Sequence, residues 1–150
     1  MYIIDGNNLM GQKRTRLELL RLLADYLELK GTPLQVVFDG APDPGFPEGK
    51  TFRGIKVVYS RRGRNADARI KEMIAQLAKP REYILVSSDI NLANYARIHG
   101  LRRLTSVEFL RQIETALHQK AKQVKSEKPA NDHSLNEWLR YFGYAPGEDE

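Results

Sequence analysis

The chain has no cysteine, which excludes a disulfide framework, thiol catalysis and every cysteine-bearing zinc or iron–sulfur centre. Histidine is scarce, and His99, His118 and His133 are too scattered to read as a histidine metal site. No apolar run approaches the roughly 18 residues of a membrane span. The opening MYIIDGNN carries a carboxylate at position 5 and lacks the basic region and long apolar stretch of a secretion signal. A freely soluble cytoplasmic protein with no membrane partner is the expectation. No Gly-rich phosphate loop or dinucleotide fingerprint follows the first apolar run, and there is no nucleophile elbow.

What remains is a chain of 150 residues, room for one domain of ordinary size with a real core. Its balance of 24 basic against 19 acidic residues gives +5. That favours an anionic partner without choosing between nucleic acid, a lipid surface and an acidic protein.

Short apolar runs alternate with helical patterns. Residues 1–4, Leu34–Phe38, Ile55–Tyr59 and Tyr83–Val86 read as strands, with a small fifth at Leu101–Leu104. Arg16–Lys30 contains neither Gly nor Pro and carries Leu17, Leu20, Ala24 and Leu27 on one face, with Gly31 as its stop. Asn65 is a good N-cap for a helix bearing Ile70, Met73, Ile74 and Leu77, ended by Pro80. A short helix stops at His99-Gly100, and Thr105 with Glu108 matches a capping box opening a long helix to about Lys122. Asp5-Gly6-Asn7-Asn8 reads as a polar loop, and Ala41–Gly54, rich in Pro and Gly, as another. Strands apolar on both faces between helices predict an α/β three-layer sandwich around a mostly parallel sheet of four or five strands. The predicted layout is a domain over residues 1–119, a basic polar linker over 120–134, and a C-terminal amphipathic helix with an acidic tail over 135–150. Leu135, Trp138, Leu139 and Phe142 mark the face of that last helix.

Three strand-like runs end in Asp: Asp5, Asp39 and Asp89. In a parallel sheet all these ends share the edge where open α/β folds place ligands. Asp67, just inside the helix after the third strand, should point to the same edge. Singly, each Asp reads as a turn former or helix cap; four on one edge read as a site. Four close carboxylates cannot all stay ionised without cations. Oxygen ligands of this kind suit Mg²⁺ or Mn²⁺, which can polarise a phosphate and activate water.

The positive charge is concentrated. Lys50, Arg53, Lys56, Arg61, Arg62, Arg64, Arg69 and Lys71, against Asp67 alone, give the segment 50–71 a charge of 8 − 1 = +7, leaving −2 for the remainder. A basic stretch ending beside a carboxylate cluster suits phosphodiester cleavage, the cations holding flanking phosphates. Arg61, Arg62 and Arg64 rank highest for phosphate contact. Phe46, Phe52 and Tyr59 are candidates for stacking on unpaired bases, although the core or the Pro-rich loop equally accounts for them. Lys120, Lys122, Lys125 and Lys128 form a second, weaker basic run.

A haloacid-dehalogenase-like phosphatase would want a second Asp at position 7, which is Asn. By contrast, IIDGNNLM at 3–10, VVFDG at 36–40, NADARI at 65–70 and VSSDINLANYA at 86–96 resemble, in order, the motifs of the NYN branch of PIN-like nucleases, and most nearly the bacterial YacP-like subgroup. The resemblance covers roughly residues 1–118. It implies a metal-dependent ribonuclease in which Asp5, Asp39, Asp67 and Asp89 hold Mg²⁺ or Mn²⁺. Asn8 matches the Asn of the first motif, and Ser87 and Ser88 match hydroxyl residues that orient ligands or water. Many relatives carry a second acid two residues after the last Asp; here that position is Asn91, which leaves the metal count open.

The resulting expectation is a divalent-metal-dependent endoribonuclease. Water attacks phosphorus in line, leaving a 5′-phosphate and a 3′-hydroxyl. Single-stranded or flexible RNA as substrate, and the ribosome or RNA maturation as context, follow from the resemblance alone. The chain could be monomer or homodimer. Two rivals stand beside this reading: an RNA-binding module with little turnover, and a structure-specific DNA nuclease. The four Asp residues oppose the first. A small chain without a DNA-clamping domain opposes the second.

Overall fold

Tyr2–Asp5 forms strand β1, and the chain turns directly into a five-residue helix α1, Gly6–Met10, before the long helix α2, Arg16–Lys30. There follow β2 (Leu34–Phe38), β3 (Thr51–Phe52), β4 (Ile55–Tyr59), α3 (Ala66–Ala75), β5 (Ile84–Val86), α4 (Ile90–Ile98), β6 (Arg102–Leu104) and α5 (Ser106–Glu127). The computed structural model describes residues 1–11, 14–61 and 64–127, with side chains to 123. The sheet order is β3-β4-β2-β1-β5-β6, parallel throughout except for the β3–β4 pair.

Alternate residues of each strand face opposite layers. Ile4, Val36, Phe38, Val57, Tyr59 and Val86 pack with α2 and α5, while Ile3, Val37, Val58 and Leu85 pack with α3 and α4. This is the expected three-layer α/β sandwich. Each fully buried side chain of this size contributes roughly 1.5–3 kcal/mol of transfer free energy, so both layers are needed to hold the sheet.

Caps set the helix bounds. Thr15 Oγ1 accepts from Glu18 N–H at 3.1 Å to start α2, and Gly31, at φ +74°, ends it by donating to Leu27 O at 2.7 Å. The Thr105–Glu108 box is reciprocal: Thr105 N–H donates to Glu108 Oε1 at 2.9 Å and Glu108 N–H to Thr105 Oγ1 at 3.1 Å.

Four elements depart from the sequence expectation. The loop expected after Ile4 is the helix α1. Asp5 caps it, Leu9 is buried beneath it, and Gly6 lies so close to Phe38 that a Cβ there would sit 2.6 Å from the ring. The Pro-rich stretch is not all loop, because Thr51–Phe52 pairs antiparallel with β4. Arg53 and Gly54, both at positive φ, make the two-residue turn that hairpins favour, and the sheet therefore has six strands. Helix α3 ends at Ala75, short of Pro80. Helix α5 runs on to Glu127, so the first eight residues of the expected linker continue the helix. The remaining linker and the expected helix around Trp138 lie outside the described residues.

Candidate active site

Strands β2, β1 and β5 are neighbours, and their carboxyl ends lie side by side. Ile4 is level with Val86 across the β1–β5 pair, which brings Asp5 level with Ser87. Asp5 is level with Val37 across the β1–β2 pair, so Asp39 stands two residues further along. Asp89 follows β5 at the start of α4.

A web of hydrogen bonds fixes these groups. The Ser87 hydroxyl, fully buried, donates to Asp5 Oδ2 at 3.0 Å and accepts from Asp89 N–H at 3.1 Å. Asn8 Oδ1 accepts from Ser88 N–H at 2.9 Å and from the Ser106 hydroxyl, while Ser88 Oγ accepts from Ser106 N–H at 3.0 Å. Ser87 and Ser88 thus act on the protein itself: they hold the carboxylate-bearing loops in place. Each of three carboxylates also receives a helix N-terminus. Asp5 Oδ1 accepts from Asn8 N–H of α1 at 3.4 Å, Asp39 Oδ1 from Ala66 N–H of α3, and Asp89 Oδ1 from Leu92 N–H of α4 at 3.1 Å. Each of these carboxylates therefore does cap a helix, and in doing so stands with the others at one edge of the sheet. The positive ends of α3 and α4 partly offset the repulsion among the acids.

Burial pushes the Asp5 carboxyl above its ordinary value. The Ser87 and Asn8 hydrogen bonds oppose this, and the Asp39 and Asp89 charges add to it. Asp5, Asp39 and Asp89 are thus one electrostatic group. The fourth acid behaves differently. Asp67 Oδ2 pairs with Lys71 Nζ at 3.2 Å, and Asp67 Oδ1 is buried with no hydrogen-bond partner. Among the described residues no three Asp, Glu or His side chains converge into a ready-made metal cage. The donors nevertheless fit a hard divalent ion, which binds through one or two carboxylates and keeps water as its other ligands. They are all oxygen, they repel one another, and Asp67 adds an orphaned acceptor one residue from the N–H that holds Asp39.

The basic residues divide. Arg61 follows β4 at the same edge as the carboxylates. Its N–H donates to Gly40 O at 3.2 Å, and its guanidinium is exposed and loosely placed 3.9 Å from Glu48. Arg64 is bonded to Glu72, holding that carboxyl below the ordinary range. Arg69 lies between Glu48 at 3.9 Å and Glu72 at 3.5 Å. Lys50 and Lys56 are exposed. Arg53 is elsewhere: it precedes β4, at the opposite end of the sheet, and pairs with Asp25 at 2.9 Å and Glu28 at 3.1 Å on α2. Arg62 lies outside the described residues. The stacking candidates are core groups. Tyr59 is fully buried and donates to Phe46 O at 2.6 Å, and Phe46 packs edge-on against Phe52.

Several residues of the site had no role in the sequence reading. Asn7 Oδ1 accepts from Asp39 N–H at 2.8 Å, and Arg16 donates to Asp39 O while its Cζ sits 5.2 Å from the Phe38 and Tyr59 ring centroids. Buried Ser60 accepts from Gly40 N–H at 2.9 Å and donates to Arg64 O at 2.9 Å. Ser60 follows β4 as Asp39 follows β2, a positional signal that could have found it. Arg16 is only the first residue of a helix, and nothing local marks it.

The model of the YacP-like NYN domain matches residues 2–141. A Bacillus subtilis (strain 168) protein described as "Uncharacterized protein YacP" is 25% identical over 151 residues, spanning 90% of this chain and 89% of its own. Two crystal structures of Rae1 (YacP) from Bacillus subtilis are similar in fold. A W164L mutant has a TM-score of 0.65 at 22% identity, covering 94% of this chain and 90% of its own. The other has a TM-score of 0.63 at 24% identity, covering 93% and 90%. The fold is PIN-like, and no helix among the described residues is long and apolar enough to cross a membrane.

Proposed function

The chain belongs to the YacP-like NYN domain family, and from that premise we propose that it is a divalent-cation-dependent endoribonuclease acting on single-stranded or flexible RNA. The observation that carries this reading is the group of Asp5, Asp39 and Asp89 at adjacent strand ends, with Asp5 and Asp89 tied through Ser87 and Asp39 held by Asn7 and the start of α3. Mg²⁺ or Mn²⁺ would be held by these three carboxylates, with Asp67 as a further oxygen. Bound there, such an ion neutralises the facing acids and lowers the pKa of the attacking water.

The chain's own residues do the rest. Ser87 and Asn8 hold the Asp5 and Asp89 loops in register. Arg61, beside Gly40, engages a phosphate flanking the scissile one, leaving the acids to the scissile group. Water attacks the phosphorus in line and the bond to the 3′ oxygen breaks, so the products carry a 5′-phosphate and a 3′-hydroxyl and no side-chain nucleophile is required. A cytoplasmic setting is part of this proposal, and the ribosome as a partner rests on family membership alone.

The test is incubation of the purified protein with labelled single-stranded RNA, hairpin RNA and flap DNA in Mn²⁺, Mg²⁺ or EDTA. Asp5→Asn and Asp89→Asn variants are run alongside. Cation-dependent cleavage of the single-stranded RNA, lost in both variants, is expected. Cleavage that persists in EDTA, or full activity in both variants, overturns the mechanism, and binding without cleavage favours an RNA-binding module.

A further inference from the structure

A cavity of about 600 Å³ opens between α3 and the sheet. Ile3, Val58, Met73 and Leu77 give it an apolar floor, which the amides Gln35 and Gln76 border. Its rim is charged: Glu48, Glu72, Arg61 and Arg69 stand around it, with Lys56. The cavity begins beside the carboxylate edge. Arg61 N–H is bonded to Gly40, the neighbour of Asp39, and Arg69 lies one helical turn from Ala66, whose N–H holds Asp39 Oδ1. A strand with its scissile phosphate at the acids would therefore have an adjacent nucleotide within reach of this opening.

The rim does not suit a phosphate alone, because Glu48 and Glu72 would repel it. Glu72 Oε1 is already bonded to Arg64, so its Oε2 is the oxygen open to a ligand, and the Arg69 contacts are loose. Arg69 is 3.9 Å from Glu48 and 3.5 Å from Glu72, and its buried Nε has no hydrogen-bond partner. Carboxylates and a guanidinium above an apolar floor complement a flat base that offers N–H donors on one edge and acceptors on another. Guanine offers both: N1–H and the N2 amino group to a carboxylate, and O6 with N7 to a guanidinium. The volume is in the range of small-molecule sites, roughly 300–1,000 Å³.

We infer that this cavity receives the base of one guanine nucleotide of the RNA strand, next to the cleaved bond. Glu48 and Glu72 accept from its Watson–Crick edge, and Arg69 donates to its Hoogsteen edge. This rests on the ribonuclease reading and adds a base preference to it.

The experiment titrates the full chain with 5′-GMP, AMP, CMP and UMP in EDTA, followed by calorimetry or NMR, so that cleavage contributes nothing. Saturable GMP binding at least fivefold tighter than the other three is expected. Glu48→Gln and Glu72→Gln should each weaken GMP at least threefold, and Met73→Trp, which fills the floor, should abolish binding. Circular dichroism reports whether Met73→Trp folds; if it does not, the two isosteric Glu variants decide. Absence of saturable GMP binding, equal affinity for all four nucleotides, or indifference to both Glu variants overturns the inference. GMP binding without RNA cleavage in Mn²⁺ removes the nuclease reading and leaves the base site. Cleavage without GMP binding does the reverse.

Discussion

The Ser87 hydroxyl donates to Asp5 Oδ2 at 3.0 Å while accepting from Asp89 N–H at 3.1 Å. One buried oxygen therefore sets the spacing of two candidate ligands 84 residues apart in sequence. Ser87→Ala leaves a buried carboxylate oxygen and a backbone N–H without their partner. Such a loss costs about 1–3 kcal/mol. Urea denaturation should show that loss, and single-turnover RNA cleavage should fall by roughly tenfold, because a slightly misplaced catalytic group costs rate steeply. An unchanged denaturation midpoint would show that Ser87 does not carry this load.

Asp5 connects stability to pH. Its folded carboxyl titrates above the ordinary value of 3.8, chiefly because it is buried. Below 3.8 the group is protonated in both states and contributes nothing. As pH rises from there to the folded value, the unfolded chain releases the proton first and stability falls. Above the folded value the whole penalty is present. Asp5→Asn should therefore be more stable than the parent protein at pH 7 in EDTA, with the gap narrowing as pH falls toward 3.8. Cleavage should drop at least about 100-fold, the usual scale for removing a preorganised electrostatic group. A variant that is both inactive and less stable at pH 7 would contradict the burial cost assigned to this acid.

Much of this arrangement is legible in the sequence. Parallel strands buried on both faces produce continuous apolar runs, and Asp5 and Asp39 stand directly at their ends, with Asp89 just beyond. The chemistry-bearing edge thus follows from topology. The Asn65 cap and the Thr105–Glu108 box are local and were equally readable. Tertiary contacts were not. Helix α1 forms from turn-forming residues because Gly6 can lie against Phe38, and β3 exists only because β4 offers it a partner. Ser106 reaches Asn8 across 98 residues. Arg53 reads as one more cation in a basic run until α2 supplies Asp25 and Glu28. The Asp67–Lys71 pair, at helical i,i+4 spacing, was visible in the sequence and competes with the ligand role given to Asp67.

Cation binding has a readout independent of turnover. A ligand bound only by the folded state stabilises it by about 2.7 kcal/mol at a concentration 100 times its Kd. For a chain of this size that corresponds to a Tm rise on the order of 5–10 °C. Mn²⁺ should produce such a rise in the parent protein and less than half of it in Asp5→Asn and Asp89→Asn. Asp67→Asn, which gives up the pairing with Lys71 as well as an oxygen, should show an intermediate rise. Equal rises in all four proteins would place the ion elsewhere.

The division among the basic residues is testable by salt dependence. A cation that contacts phosphate releases condensed counterions, so removing it weakens RNA binding uniformly and lowers the salt slope by about 1. Arg61, exposed beside Gly40 at the carboxylate edge, should behave this way when changed to Ala. Arg53 is held by Asp25 and Glu28 at the other end of β4. Arg53→Ala should leave affinity and slope unchanged, and it should cost on the order of 1 kcal/mol of stability, because it leaves the half-buried Asp25 without its cation. Fluorescence anisotropy with labelled single-stranded RNA from 50 to 200 mM salt, in EDTA, measures both slopes. Equal losses in the two variants would mean that RNA wraps the sheet from end to end, and that the carboxylate edge alone does not define its path.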